Sequence, residues 1–326
     1  MICHLAAIVL AVALDWLIGD PEKWPHPVKG FGRLIGLLDR RLNNGRFRKL
    51  KGVLLVLTVV LAAFGSSCLL MVLSYQWHPV AGVALEAVLI STTIAQNNLA
   101  EAVMRVYHLL EAANLPEART KLSYIVGRET NRLPEPEIVR GAVETVAENT
   151  SDGITAPLFW SVIGGAPLAL MYRAVNTCDS MVGYRNETYG KFGWASARLD
   201  DVLNWIPARL TGFLMMVVQK PAMTSFHGAW SVLFRDARKH KSPNAGWVEA
   251  AVAALLGVRL GGTNVYHGMT SVSQRLGDPH QPLTSAHILQ TITIMRRTVF
   301  FFLLCMLIGG ITIELATTWG ECPSSL

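Results

Sequence analysis

Residues 52–74 read GVLLVLTVVLAAFGSSCLLMVLS, 23 positions without a charge. About 20 consecutive apolar residues carry an α-helix across the hydrocarbon layer of a bilayer, so this stretch reads as a membrane span. Three more segments invite the same reading. Residues 298–319 are apolar except for Glu314, and residues 80–95 carry one acid, Glu86, before a helical pattern that runs to about residue 110. Residues 2–19 are apolar apart from His4 and Asp15. They have no cation ahead of the apolar run, and Asp20-Pro21 follows in place of a small-x-small cleavage site, so they do not read as a secretion signal.

Composition agrees with a polytopic protein that keeps substantial water-exposed segments. Apolar residues make up 51% of the 326 positions and charged residues 16%, with mean hydropathy +0.35. The net charge of +6 does not indicate a nucleic-acid partner, because the cations gather beside apolar runs. Residues 21–51 hold nine Lys or Arg, and residues 220–297 hold nine against three acids. Residues 75–79 and 320–326 hold none. The positive-inside rule then puts the first loop and the 220–297 segment in the cytoplasm and both termini outside, in a multi-pass protein of the cell membrane. The chain divides into membrane helices with a basic loop (1–100), helices and broken segments carrying polar groups (101–219), a basic cytoplasmic segment (220–297) and a C-terminal membrane helix (298–326). The expected fold is all-α, with about four spans, a broken or re-entrant pair, and helical cytoplasmic segments.

The re-entrant pair is expected in residues 154–176 and 205–219. Gly164-Gly165-Ala166-Pro167 breaks the first and Pro207 interrupts the second. Broken helices of this kind occur where a membrane protein lines a buried cavity. A re-entrant path keeps the polar loop 176–201 and its functional groups on the cytoplasmic side. The five cysteines show no CxxC or Cys/His spacing, so neither zinc nor a disulfide framework is implied.

Ionisable groups near hydrocarbon depth cost roughly 2.5–3.5 kcal/mol each on insertion scales, and those a chain retains are candidates for function. From Pro134 the sequence reads as a helix stopping near Gly153, with Arg140, Glu144, Glu148 and Asp152 on one face at four-residue spacing. Alone, such a stripe reads as a solvated face with an Arg140–Glu144 pair. Running straight into an apolar segment, its carboxylates could hold Mg²⁺ or supply a general base. A second group is Arg173, Asn176 and Asp179; a third is Asp200, Asp201 and Asn204, followed by Pro207 and Arg209. Their oxygens are the hard ligands Mg²⁺ accepts beside a substrate phosphate, while the plainer reading pairs Arg173 with Asp179 and Arg209 with Asp201.

In RDARKHKSPNAGW, residues 235–247, cations precede a turn and a helix over 249–256 that stops at Gly257. Arg238, Lys241 and the free N–H groups at such a helix start suit a phosphate, or the cations suit anionic lipid. Near the start, Trp24 and His26 either line a site or anchor the chain at the bilayer surface. The amphipathic run 27–42 lies on the membrane or docks another enzyme. Gly183 to Lys191 is not a P-loop, since six residues separate its glycines and Phe follows the lysine.

ETVAENTSDGITAPLFW (144–160), IGGAPLALMYRAVNTCDSMVGYRNETYGKFGWASARLDD (163–201) and WIPARLTG (205–212) resemble the central signature of the adenosylcobinamide-phosphate synthases, the CbiB/CobD family of cobalamin biosynthesis. GDPEKWPHPV (19–28) and SPNAGWVEAAVAALLGVRLGG (242–262) resemble that family in the same order. The resemblance implies a polytopic membrane enzyme, an ATP-dependent ligase that joins adenosylcobyric acid to an amino-alcohol phosphate. It implies Mg²⁺ as cofactor, ATP as co-substrate, a corrinoid substrate, and other late-pathway enzymes as partners beside membrane lipid. On that reading Asp179, Asp200 and Asp201 hold Mg²⁺, with Asp152 a lesser candidate. Arg173, Arg209, Arg238 and Lys241 contact phosphates, and Glu144 or Glu148 is the base. Asn149, Asn176, Asn204 and Asn244 orient groups by hydrogen bonds, and His26 lines the substrate site. Two other classes are weighed beside it. A membrane prenyl- or phosphoryl-transferase would use the same aspartates on a diphosphate, and a non-enzymatic corrinoid carrier would use the broken segments as a path.

Overall fold

The computed structural model describes residues 2–19, 26–184, 186–266 and 268–320. Within them the chain is helical apart from one small hairpin. In order come α1 (Ile2–Ile18), α2 (Pro27–Leu42), α3 (Arg48–Trp77), α4 (Pro79–Ser91), α5 (Gln96–Glu111), α6 (Leu115–Ser123) and α7 (Glu135–Thr150). A π-helical turn, Ser151–Thr155, leads into α8 (Ala156–Val182). There follow α9 (Trp194–Leu203), α10 (Trp205–Val218), α11 (Phe226–Asp236), α12 (Ala245–Leu256), the antiparallel strands β1 (Thr263–Tyr266) and β2 (Met269–Val272), and α13 (Ala286–Gly320).

Among the described residues four helical stretches are long and apolar enough to cross a membrane: Arg48–Trp77, Pro79–Glu111, Glu135–Val182 and Ala286–Glu314. The bent pair Trp194–Leu203 and Trp205–Val218 would make a fifth. The expected span at 2–19 differs. It forms α1, a helix of 17 residues, and at 1.5 Å per residue this reaches about 25 Å, short of the hydrocarbon thickness.

The residues fall into two compact units, Met1–Ala95 with Ala156–Leu203 and Phe302–Leu326, and Gln96–Thr155 with Asn204–Phe301. In the first, α3 runs against α8, and Gly52 lets the turn ahead of α9 approach α3: a Cβ there would overlap the carbonyl oxygen of Phe192. The amphipathic α2 does not keep its apolar face for lipid or a partner. Phe31, Leu34, Ile35, Leu38 and Leu42 pack with Leu55, Val59, Ala174, Cys178 and Phe192 into one core. Inside α8 the expected break is present, Gly164 and Gly165 both having non-helical backbone angles. Glu86, buried in α4, takes the Ala166 amide (3.3 Å), the Tyr75 hydroxyl (2.6 Å) and His4 Nδ1 (2.8 Å) at this break. Its carboxylate thereby serves one of the backbone donors that a helix start leaves without an intrahelical partner.

In the second unit α12 is the centre. All twelve of its residues are buried, and it packs against α7, α10 and α11. Gly257 ends it in the left-handed conformation (φ 66°), as the sequence suggested. Gly153 does not end α7. The chain passes through the π turn, where Thr155 Oγ1 lies 3.1 Å from the Thr150 carbonyl and 2.5 Å from Thr211 Oγ1 of α10. A side-chain hydroxyl that serves the widened turn lets the helix bulge where a glycine would otherwise permit a stop. Pro207 likewise sits in the first turn of α10 rather than interrupting a helix, a position where its missing N–H is not needed.

Candidate functional site

Two polar groups emerge, one in each unit. In the first unit α8 carries Arg173, Asn176 and Asp179 at three-residue spacing, and α9 carries Asp200 and Asp201. Asn176 Nδ2 donates to Asp200 Oδ1 across the two helices at 3.2 Å, and Arg173 Nη1 lies 3.4 Å from Asn176 Oδ1. Asp200 is buried and Asp179 half-buried, while Asp201 lies 3.7 Å from the exposed Arg198. Among the described residues no three His, Cys, Asp or Glu side chains converge as a ready cation cage. The donors fit a different arrangement. Mg²⁺ is commonly held by one or two carboxylates while water and substrate phosphate complete its shell, and Asp200 beside Asn176, with Asp179 one turn along, offers that chemistry.

In the second unit Arg140 and Glu144 of the stripe belong to an enclosed network rather than a solvated face. Arg140 is buried and its Nη1 donates to Glu144 Oε1 at 3.0 Å. Arg128 Nη2 reaches Glu144 Oε2 at 2.8 Å, and the Gly261 amide donates to Glu144 Oε1 at 2.8 Å. Both arginines also donate to Asn264 Oδ1 of β1, at 2.6 and 2.8 Å. Glu144 is thus held on both oxygens. Glu148, one turn on, is exposed, Asn149 Nδ2 bonds to the Thr145 carbonyl (2.9 Å), and Asp152 is half-buried in the π turn.

Facing this stripe is a residue that sequence reasoning did not single out. Glu249 is the sole charged residue of α12 and is buried. Burial pushes its carboxyl well above the usual range, and the charges of Glu144 and Glu148 push it further against the opposing pull of Arg128 and Arg140. His240 Nε2 lies 3.7 Å from Glu249 Oε1. His240 Nδ1 lies 3.0 Å from the Ser242 amide and 3.3 Å from the Ser242 carbonyl. Burial lowers the His240 pKa, with the Ser242 backbone contact acting against it. A signal for Glu249 was present: one acid inside an otherwise apolar run, WVEAAVAALL, must find partners if the run is buried.

At the start of α12 sit the expected phosphate contacts. Arg209 stacks on Trp205 (4.3 Å to the ring centroid) and lies 5.3 Å from that of Trp247. Its Nη1 donates to the Trp205 carbonyl at 2.6 Å and to Asn244 Oδ1 at 3.3 Å, and the exposed Arg238 is close enough for its charge to act on it. Asn244 is buried at the head of α12, and Ser242 Oγ accepts from the Asn244 and Ala245 amides at 3.2 Å each. Lys241 is exposed and bonds to Ser271 Oγ at 3.1 Å. Asn204 is buried just ahead of α10. His26 caps α2, its Nδ1 accepting from the Val28 amide at 3.1 Å, and Trp24 lies outside the described residues.

Taken unit by unit, the first offers hard oxygen donors and a cation, and the second offers acids, an imidazole and clustered cations, all components of phosphate-driven acyl chemistry. No solved structure matches the chain. Among curated proteins, "Cobalamin biosynthesis protein CobD" of Halalkalibacterium halodurans is 56% identical over 310 residues, covering 94% of this chain and 97% of that one. The protein of the same description from Geobacter metallireducens is 51% identical over 293 residues, 89% of this chain and 92% of its own. "Cobalamin biosynthesis protein CbiB" of Salmonella paratyphi B is 43% identical over 295 residues, 89% of this chain and 92% of its own. The family model described as CobD/Cbib protein matches residues 8–295. With that match spanning most of its length, the chain belongs to the CobD/CbiB family.

Proposed function

We propose that the protein acts in cobalamin biosynthesis as an ATP-dependent amide synthase, joining adenosylcobyric acid to an amino-alcohol phosphate to give adenosylcobinamide phosphate. The observation that carries the reading is identity of 56% across 97% of a relative whose name places it in cobalamin biosynthesis. The polar groups support the chemistry. A propionate oxygen of the corrinoid attacks the γ-phosphorus of ATP, the bond to the β-phosphate oxygen breaks, and ADP leaves. The free amine then attacks the acyl-phosphate carbon, the carbon–oxygen bond breaks, and inorganic phosphate leaves with the electron pair.

An amine attacks only after its ammonium loses a proton. Glu148, exposed one turn beyond the clamped Glu144, is the base in this scheme. Glu249 and His240 lie beside the stripe as the groups that pass its proton on. Arg209, held against Trp205 and Trp247, contacts phosphate with Arg238 and Lys241. Arg173 does the same on α8, where Asn176 orients Asp200. Asp179 and Asp200 would hold Mg²⁺, with Asp201 at the edge of the set, and the bound ion would neutralise triphosphate charge. The reading places these groups on the cytoplasmic side of the cell membrane, where ATP is found.

The test is incubation of the purified, detergent-solubilised protein with adenosylcobyric acid, aminopropanol phosphate, ATP and Mg²⁺, followed by mass spectrometry. An adduct lighter than the two substrates by one water, formed with ADP and phosphate, is the expected result. Corrinoid that binds but stays unconverted in active lipid preparations would overturn the synthase in favour of a carrier.

A further inference from the structure

The turn over residues 186–191 belongs to the central motif yet has no part in the reaction above. With residues 45–48 it lines a hollow of about 710 Å³, whose charged lining residues are Arg46, Arg48, Glu187 and Lys191. Three of these are cations and one, Glu187, is an acid. Volumes of a few hundred to a thousand Å³ suit a small-molecule ligand or a headgroup.

The hollow is a built feature. Arg48 clamps its two walls, donating to Asn43 Oδ1 through Nε (2.9 Å) and Nη2 (2.6 Å) and to the Thr188 carbonyl. Asn43 Nδ2 bonds in turn to Asp39 Oδ1 at 2.9 Å, and Tyr189 Oη donates to Asp39 Oδ2 at 3.0 Å. Asn186 Oδ1 takes the Tyr189 amide at 2.8 Å and its carbonyl takes the Gly190 amide at 2.7 Å, which fixes the turn. Arg48 is therefore engaged as scaffold. Arg46 and Lys191 are exposed, and among the described residues neither is in an ion pair.

Its depth is marked by its neighbours. Arg48 opens the 30-residue apolar α3, Phe47 and Leu50 are 76% and 67% exposed, and Lys49 Nζ lies 3.7 Å over the Trp194 ring. Aromatic and cationic anchors of this kind mark the headgroup level of a bilayer. We propose that this hollow binds a phosphate-bearing anion through Arg46 and Lys191. The phosphate comes either from the headgroup of an anionic lipid or from a free nucleotide.

The full chain tests this with two probes, phosphatidylglycerol retained in detergent and read by native mass spectrometry, and radiolabelled ATP bound in phosphatidylcholine nanodiscs. Arg46→Gln with Lys191→Gln removes both charges and leaves the Arg48 clamp intact, so a monodisperse protein is expected. Retention of one probe falls at least tenfold in this variant and returns in Arg46→Lys with Lys191→Arg. A loss confined to phosphatidylglycerol assigns a lipid headgroup, and a loss confined to ATP assigns a free phosphate. Equal retention of both probes by wild type and the glutamine variant overturns the site. So does a loss that the charge-keeping variant fails to restore.

Discussion

Arg128 Nη2 and Glu144 Oε2 meet at 2.8 Å in a site where both side chains are largely shielded from water. The same carboxylate takes Arg140 at 3.0 Å and the Gly261 amide at 2.8 Å. Removing one partner of a buried pair leaves the rest as uncompensated charge, at a cost of about 3–5 kcal/mol. Glu144→Ala therefore loses thermal stability by an amount of that order, measured by fluorescence-detected unfolding in detergent. Glu148→Gln changes stability by less than about 0.5 kcal/mol while slowing amide formation by roughly 10²–10⁴. Equal losses of stability in the two variants would remove the distinction between clamp and base.

Asp179→Ala and Asp200→Ala abolish turnover, lowering kcat by roughly a hundredfold or more, with membrane insertion unchanged. Asp201, 3.7 Å from Arg198, gives a smaller loss. Titrating Mg²⁺ against activity checks the assignment, because an altered ligand set raises the Mg²⁺ concentration needed for half-maximal rate. Full activity of the Asp179 and Asp200 variants would remove both from the metal site.

Asp236, buried at the end of α11, accepts from Arg235 (2.8 Å), Lys239 (2.6 Å) and the Gly277 amide (2.8 Å). Burial raises its pKa, but these three bonds outweigh it and hold the carboxyl down at about 2 against an ordinary 3.8. A depressed carboxyl contributes its stability above the unfolded pKa and loses it as pH falls through the folded one. The contribution, about 2 kcal/mol, is complete above about pH 5 and gone below about pH 1. Hydrogen exchange around Gly277, corrected for intrinsic rate, speeds up across that window. In Asp236→Asn the acceleration over this interval disappears.

Gly165 sits at φ 63°, ψ −158° in the break of α8, a region essentially closed to other residues. A Cβ there would also overlap Glu86 Oε1 and the His4 ring. Gly165→Ala costs about 1–3 kcal/mol from the backbone alone, and the yield of heat-stable, monodisperse protein falls accordingly. Gly30→Ala, in open space on α2, serves as the control and leaves the yield unchanged.

Features that depend on neighbouring residues were legible in the chain. The uncharged run became α3, Gly164-Gly165 broke α8, Gly257 ended α12, and four-residue spacing brought Arg140 to Glu144. Partners supplied from far along the chain were not. Nothing near Glu144 announces Gly261, 117 positions away, or near Arg128 announces Asn264, 136 away. The hydrophobic face of α2 was legible as a face, but its partners Cys178 and Phe192 lie well over a hundred residues on, so bilayer and core were indistinguishable. Gly153 misled because glycine permits a stop without requiring one, and the deciding contact came from Thr211.

The helix that carries Glu249 has no outside. Ala250, Ala251, Ala253 and Ala254 are all buried, so small side chains set how closely its neighbours approach. Such a segment is policed by volume as well as polarity. Over evolutionary time it will admit Gly, Ala and Ser at these places and refuse leucine.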